Sequence, residues 1–345
     1  MKRSVTLGLL CALLLATATA ATPPAGSTAA GDPYLWLENV HGARAMAWVR
    51  AENAKTLHVL QNDPNFAALY ASALKIAEAT DRIPAPEFVA RDIYNFWQDA
   101  GHVRGIWRRT TPISFANASP AWATALDLDA LAKSENANWV WKGSDCRWPD
   151  ETRCLLFLSD GGEDAITVRE FDLRDDAFVQ DGFALPRSKQ SVAWESPDSL
   201  LLAREWSPGE LTASGYPFVV KRVVRGQPLA SATEVFRGSK SDGGYGVSPI
   251  DLHDGAGNSV LLISRPLSTF EAESYIVTAK GPQRLAVPLG AQPAGLVAGR
   301  LLFTLQKEWS VDGSTFAQGS LVSVDVDAAT ADPAHLKPSL VYAPG

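Results

Sequence analysis

The chain is poor in the residues that build metal and thiol sites. Its 345 residues hold three cysteines and five histidines. The histidines (His41, His58, His102, His253, His335) are scattered, with no H-x-x-x-H pair and no cysteine at zinc spacing, so no metal site is expected. No cofactor is expected either. The stretch GSKSDGGYG at 238–246 is glycine-rich but lacks the G-K-[ST] that holds a phosphate. Positive charge is also short: 31 Lys and Arg stand against 38 Asp and Glu, a net charge of −7. Without a basic tract, neither nucleic acid nor an anionic membrane is an expected partner. Beyond the first twenty residues, no apolar run approaches the length of a membrane span. The G-x-S-x-G nucleophile elbow is missing as well. Gly246-Val247-Ser248-Pro249-Ile250 has no second glycine, and Ser239-Lys240-Ser241-Asp242-Gly243 lacks the first. No alternation of strand and helix signals is present that could build a hydrolase sheet.

What the chain does have is a repeat. Leucine-led runs end twice in Glu-Trp-Ser, LLLAREWS at 200–207 and LLFTLQKEWS at 301–310, placing Trp206 and Trp309 103 residues apart. A further unit fits between them, so the period is about half that, in the range of propellers and solenoids. Runs that read as second strands of four-stranded units begin near Ile93, Cys154, Ser199, Ser259 and Arg300, at intervals of 61, 45, 60 and 41 residues. Each is followed by a turn cluster and another strand-like run. The clearest case is LLFLS (155–159), DGGED (160–164) and AITVREFDL (165–173). There Ile166, Val168, Glu170 and Asp172 share one face, and Thr167, Arg169, Phe171 and Leu173 the other. The fold class expected is mainly β, a propeller of about five four-stranded blades over residues 85–345. A generic sandwich is the competing arrangement.

The amino-terminal part differs. Lys2 and Arg3, the apolar LGLLCALLLA and then Ala18-Thr19-Ala20 form a secretory signal pattern over residues 1–20, which predicts a periplasmic or secreted protein. Losing Lys2 and Arg3 would take the charge from −7 to −9. Residues 21–31 read as a flexible leader, and 32–84 as a helical arm. Phe66, Leu69, Tyr70, Ala73, Leu74 and Ala77 form an amphipathic stripe, and Pro84 and Pro86 stop any helix.

DPYLWLE followed by WVRAEN resembles the opening helical segment of the prolyl oligopeptidases. IYNFWQDAGHVRGIWRRTT (93–111), WVWKGSDC with RCLLFLSDGGEDAITVREFDL (139–173), and LPRSKQSVAWESPDSLLLAREW (185–206) resemble the first propeller blades of that family's secreted bacterial branch. The resemblance implies a serine peptidase of short peptides. It also implies a helical arm wrapped on a carboxy-terminal α/β-hydrolase domain, beneath a propeller of seven blades, of which about five are present. That family's nucleophile, acid and histidine follow the propeller, so no catalytic residue is expected here and the chain alone is expected to be inactive. The resemblance also matches Gln190, in Lys189-Gln190-Ser191, to a strip that supplies a wall residue of the peptide pocket. It matches Asp164 to an acidic position near the same opening. Ordinary turn roles account for both residues on better than equal terms. The alternative function is a free-standing five-bladed module that binds a ligand or protein in the periplasm.

Remaining constellations have plainer readings. Ser248, Asp251 and His253 lie too close in sequence to argue for a triad, and an interblade loop accounts for them. Asp160, Glu163 and Asp164 lack calcium-loop spacing, and a hairpin turn accounts for them. Cys146 and Cys154 flank a short turn-bearing segment and are expected to pair as a disulfide in an oxidising compartment. An arm without its domain, and open blade edges, are expected to promote self-association.

Overall fold

A computed structural model describes residues 32–345; the expected signal peptide and leader lie outside the described residues. The described residues divide into two compact units, 32–76 and Ala77–Gly345. In the first, a 3-10 turn (Leu35–Glu38) precedes α1 (Ala43–Gln61) and α2 (Phe66–Ala77). Both helices use alanine-rich sequence without internal proline or glycine. Asp63 separates them, its carboxylate accepting from the Asn65 N–H at 2.8 Å. Trp36 meets Trp48 edge-on at 6.2 Å, which seats the DPYLWLE turn on α1. No residue of α2 is buried: Leu69 is 67% exposed, Tyr70 60% and Ile76 69%.

The second unit is a run of antiparallel meanders. Blade one holds β1 (Glu87–Val89), β2 (Asp92–Trp97), β3 (Ile106–Thr110) and β4 (Ala123–Asp127). Blade two holds β5 (Trp139–Cys146), β6 (Arg153–Asp160), β7 (Ile166–Asp172), β8 (Ala177–Phe178) and β9 (Ala184–Ser188). Blade three comprises β10 (Ser191–Ser196), β11 (Ser199–Ala203), β12 (Val219–Val224) and β13 (Thr233–Arg237). Blade four comprises β14 (Ser248–His253), β15 (Ser259–Pro266), β16 (Ala272–Thr278) and β17 (Gly281–Arg284). Blade five has β18 (Gln292–Val297) and β19 (Arg300–Thr304), then a separate hairpin of β20 (Trp309–Val311) and β21 (Ser314–Phe316). It closes with β22 (Leu321–Asp325) and β23 (Ser339–Tyr342).

The five runs expected as second strands are β2, β6, β11, β15 and β19. Trp206 and Trp309 occupy the same place in their blades, just after the second strand. The Asp-Gly-Gly turn joins β6 to β7 through Gly161 and Gly162, both at positive φ (66° and 89°), which a side chain would strain. One reading needs correction. Ser248 to His253 is the first strand of blade four rather than an interblade loop, which ends at Val247. Ser248 and His253 stand an odd number of residues apart on it, so they face opposite sides.

The second strands of blades two to five are leucine-rich runs, and β2 instead buries Ile93, Tyr94 and Trp97, because a blade buries both faces. Leu156 joins Val89, Tyr94, Trp107 and Phe171 between blades one and two, while its neighbour Leu155 joins Val168, Trp194 and Leu200 between blades two and three. Leu201 and Ala203 face the other way from Leu200 and Leu202, packing with Val219, Val247 and Ile263 between blades three and four. Leu262, Leu301, Phe303 and Val322 fill the fourth interface. Each such leucine contributes about 1.5–3 kcal/mol by leaving water. Among the described residues no apolar cluster joins blade five to blade one, and β23 is exposed along its length. The five blades form an incomplete propeller.

Polar contacts accompany each seam. Arg109 pairs with Asp176 between blades one and two, and Arg265 pairs with Asp242 of the loop from blade three at 2.8 Å. Asp254 accepts from the Gly299 N–H at 2.8 Å between blades four and five. Most buried of these is Glu170, its side chain 1% exposed. It accepts from Arg225 at 2.7 and 3.1 Å and from the Phe183 N–H at 2.9 Å. Glu170 and Asp172 explain why β7 alternates poorly: its carboxylates are buried with arginines rather than turned to water. Glu170→Ala leaves Arg225 without its main partner and should cost roughly 3 kcal/mol in urea unfolding. Adding Arg225→Met should recover part of that loss. Additive losses in the double variant would mean that the two side chains do not act as a pair.

Candidate functional site

In an antiparallel meander, the turns from second to third strand and the crossings to the next blade leave from one end of the sheets. At that end of blades two and three, the β6–β7 turn, the β9–β10 crossing and the long β11–β12 loop surround an open cavity of about 570 Å³. Its lining includes Glu163, Asp164, Arg187, Lys189, Arg204 and Glu205. Asp164, 61% exposed at its side chain, accepts a hydrogen bond from the Tyr216 hydroxyl at 2.8 Å. That bond raises the Tyr216 pKa above its usual value, because phenolate would face carboxylate. The Lys189 ammonium lies 3.9 Å from Asp164 and 4.1 Å above the Tyr216 ring centre. Glu163 is held by Arg187, which keeps its carboxyl below the ordinary range. These carboxylates are thus engaged by protein donors.

Gln190 sits beside the cavity but not in its lining. Its amide nitrogen donates to the Ile166 and Pro186 carbonyls at 2.7 and 3.1 Å, which ties the crossing to β7. Arg204 lines the cavity and Tyr216 borders it through its bond to Asp164, and neither stands out in the sequence. Arg204 was read only as part of the LLLAREWS repeat, and Tyr216 lies in a loop without periodicity. No sequence signal identifies either, because the β11–β12 loop brings Tyr216 back to Asp164 across 52 residues.

At the opposite end, around the first strands, a second cavity of about 410 Å³ is lined by Arg147, Trp148, Trp194, Glu195, Asp251 and His253 among others. Trp148 stacks on His253 at 5.7 Å, joining the β5–β6 turn to β14. Cys146 and Cys154, register partners at the end of that turn, are linked by a disulfide with Cα atoms 3.9 Å apart. Asp145 is held here by burial, with its pKa pushed up to about 7, and the charge of Asp251 adds to the effect.

The model of the prolyl oligopeptidase N-terminal β-propeller domain matches residues 17–299. The chain belongs to the prolyl oligopeptidase family. An uncharacterized peptidase of Sinorhizobium fredii is 43% identical over 338 residues, covering 96% of this chain and 46% of the relative. A post-proline cleaving enzyme from Rickettsia typhi has a similar fold, with a TM-score of 0.80 at 24% identity over 90% of this chain and 47% of that one. Oligopeptidase B from Leishmania major does so with a TM-score of 0.64 at 13% identity, over 88% of this chain and 41% of that one. The chain spans about half the length of the curated relatives it matches. Within this family propeller, Asp164 lines the cavity at the loop end, and Gln190 supports the crossing that frames it.

The Asp145 environment has a consequence for stability. Its carboxyl ionises near 3.8 when unfolded and near 7 when folded. Between those values the folded state keeps a proton that the unfolded state has lost, so stability falls as pH rises from about 4 to 7. Asp145→Asn should flatten that part of the stability profile measured by thermal unfolding. An unchanged slope in the variant would show that the proton is held elsewhere.

Proposed function

We propose that this chain is the substrate-admitting propeller portion of a secreted serine peptidase of short peptides. The nucleophile, acid and histidine would come from a hydrolase domain that these residues do not include. The observation that carries the reading is the open cavity at the loop end of blades two and three, in a propeller whose 43% identical relative is a peptidase. A ring of blades excludes folded proteins by size and passes flexible peptides, while polar loop residues at one end orient what passes. The post-proline cleaving enzyme of similar fold supports proline-containing peptides as the substrate class. Acyl transfer needs a nucleophile, a base and oxyanion donors held together, and the sequence offers no elbow to hold them. The signal pattern at residues 1–20 and the Cys146–Cys154 disulfide support export to an oxidising compartment.

The same reading accounts for the uncovered surfaces. Leu69, Tyr70 and Ile76 of α2 and Leu340 and Tyr342 of β23 are exposed apolar groups that a hydrolase domain and further blades would cover. The isolated chain should therefore self-associate in light scattering, and mixing with the carboxy-terminal half of the Sinorhizobium relative should reduce that association. A cooperatively melting monomer would favour a free-standing binding module instead.

Activity provides the direct test. Alone, the chain should neither hydrolyse a short proline-containing chromogenic peptide nor react with a fluorophosphonate. Combined with the relative's carboxy-terminal half, it should restore peptide hydrolysis while leaving casein intact. Stoichiometric labelling of any serine in the isolated chain, or casein cleavage as fast as peptide cleavage, would contradict the reading.

A further inference from the structure

Many arginines of the larger unit pair with carboxylates, and Arg104, Arg108 and Arg300 donate instead to carbonyl, amide or hydroxyl oxygens. Arg109, Arg187, Arg222, Arg225, Arg237 and Arg265 each meet a carboxylate. Arg204 does not. It follows the last residue of β11, and it lines the cavity at the loop end of blades two and three. Its Nη1 is shielded from solvent and has no hydrogen-bond partner, and no ion pair involves its guanidinium among the described residues. The neighbouring carboxylates are engaged elsewhere. Glu205 accepts from the Gly209 N–H at 2.9 Å, Asp164 from Tyr216 at 2.8 Å, and Glu163 is held by Arg187. A half-buried guanidinium without a counter-charge loses hydration with nothing to offset it. Lys189, 3.9 Å from Asp164 and resting on the Tyr216 ring, adds a second cation at the rim.

We propose that this cavity is a carboxylate-binding subsite, in which Arg204 pairs with the anionic group of a bound peptide and Lys189 assists from the rim. The inference rests on the peptide-admitting reading above and adds a preference for acidic substrates. Guanidinium and carboxylate match as planar partners, and two parallel N–H···O bonds would satisfy the donors the fold leaves open. The carboxylate has two sources in a short peptide, its carboxy terminus or an Asp or Glu side chain.

The test is calorimetric titration of the purified chain with acetyl-Ala-Ala-Pro-Ala as free acid and as amide. Acetyl-Ala-Glu-Pro-Ala amide and succinate complete the set. The free acid should bind roughly tenfold more tightly than the amide, as expected for one charge-assisted contact. Recovery of tight binding by the glutamyl amide would assign the side chain as a source; preference for the free acid alone would assign the terminus. Arg204→Met should erase the preference without lowering the melting temperature, and Arg204→Lys should keep part of it. Equal affinities of acid and amide for the unaltered chain, or a preference that survives in Arg204→Met, would overturn the subsite and leave the peptide reading intact. Succinate binding lost in Arg204→Met, with no peptide bound in any form, would overturn the peptide reading and leave the anion site. Absence of all binding would overturn both.

Discussion

Everything in the larger unit depends on one constraint: a four-stranded blade has two apolar faces and must bury both. Leu155 and Leu156, adjacent in sequence, go to opposite seams, as do Leu200 and Leu201. A blade is therefore stable only between neighbours, and the stability of the unit accumulates seam by seam. The same requirement makes its two ends different from its middle. β23 is exposed throughout, and no apolar cluster among the described residues unites blade five with blade one. The arm has the same character on a smaller scale, with a folded helix pair whose apolar face lacks cover within its own unit.

Polar groups fix what apolar packing leaves free. Leucine seams resist separation but permit sliding, whereas a directional bond across the seam sets register. Glu170 illustrates this. It lies where the outer strand of blade two is broken into β8 and β9, accepts the N–H of Phe183 in the break, and reaches Arg225 in blade three. A broken edge strand is thereby turned into an anchor. Arg204 differs, since its shielded Nη1 has no hydrogen-bond partner among the described residues. That departure sits at the rim of the largest cavity described above, which is where a ligand would meet it.

The loop end and the opposite end of the blades differ in chemistry. Around the candidate site the carboxylates are engaged by arginine, phenol or backbone donors. Near the first strands, Asp145 is buried beside Asp251 and holds its proton up to about pH 7. The first end is suited to recognising a charged guest, while the second responds to pH within the scaffold itself.

The blades were legible in sequence because four of their second strands, β6, β11, β15 and β19, are leucine-rich and β2 is aromatic-rich. Ile93, Cys154, Ser199, Ser259 and Arg300 all mark such strands. First strands carry a weaker signal: in β14, Ser248-Pro249-Ile250-Asp251 mixes polar and apolar residues without clean alternation. Asp164 reached the candidate site through resemblance, but Tyr216 and Arg204 did not, since a contact across 52 residues leaves no local trace. Local pattern sufficed for the period, the β character and the lack of a G-x-S-x-G elbow in these residues. Which carboxylates at the cavity are engaged, and that Arg204 meets none among the described residues, follows from folding alone, because pairing depends on distances between loops that no periodicity encodes.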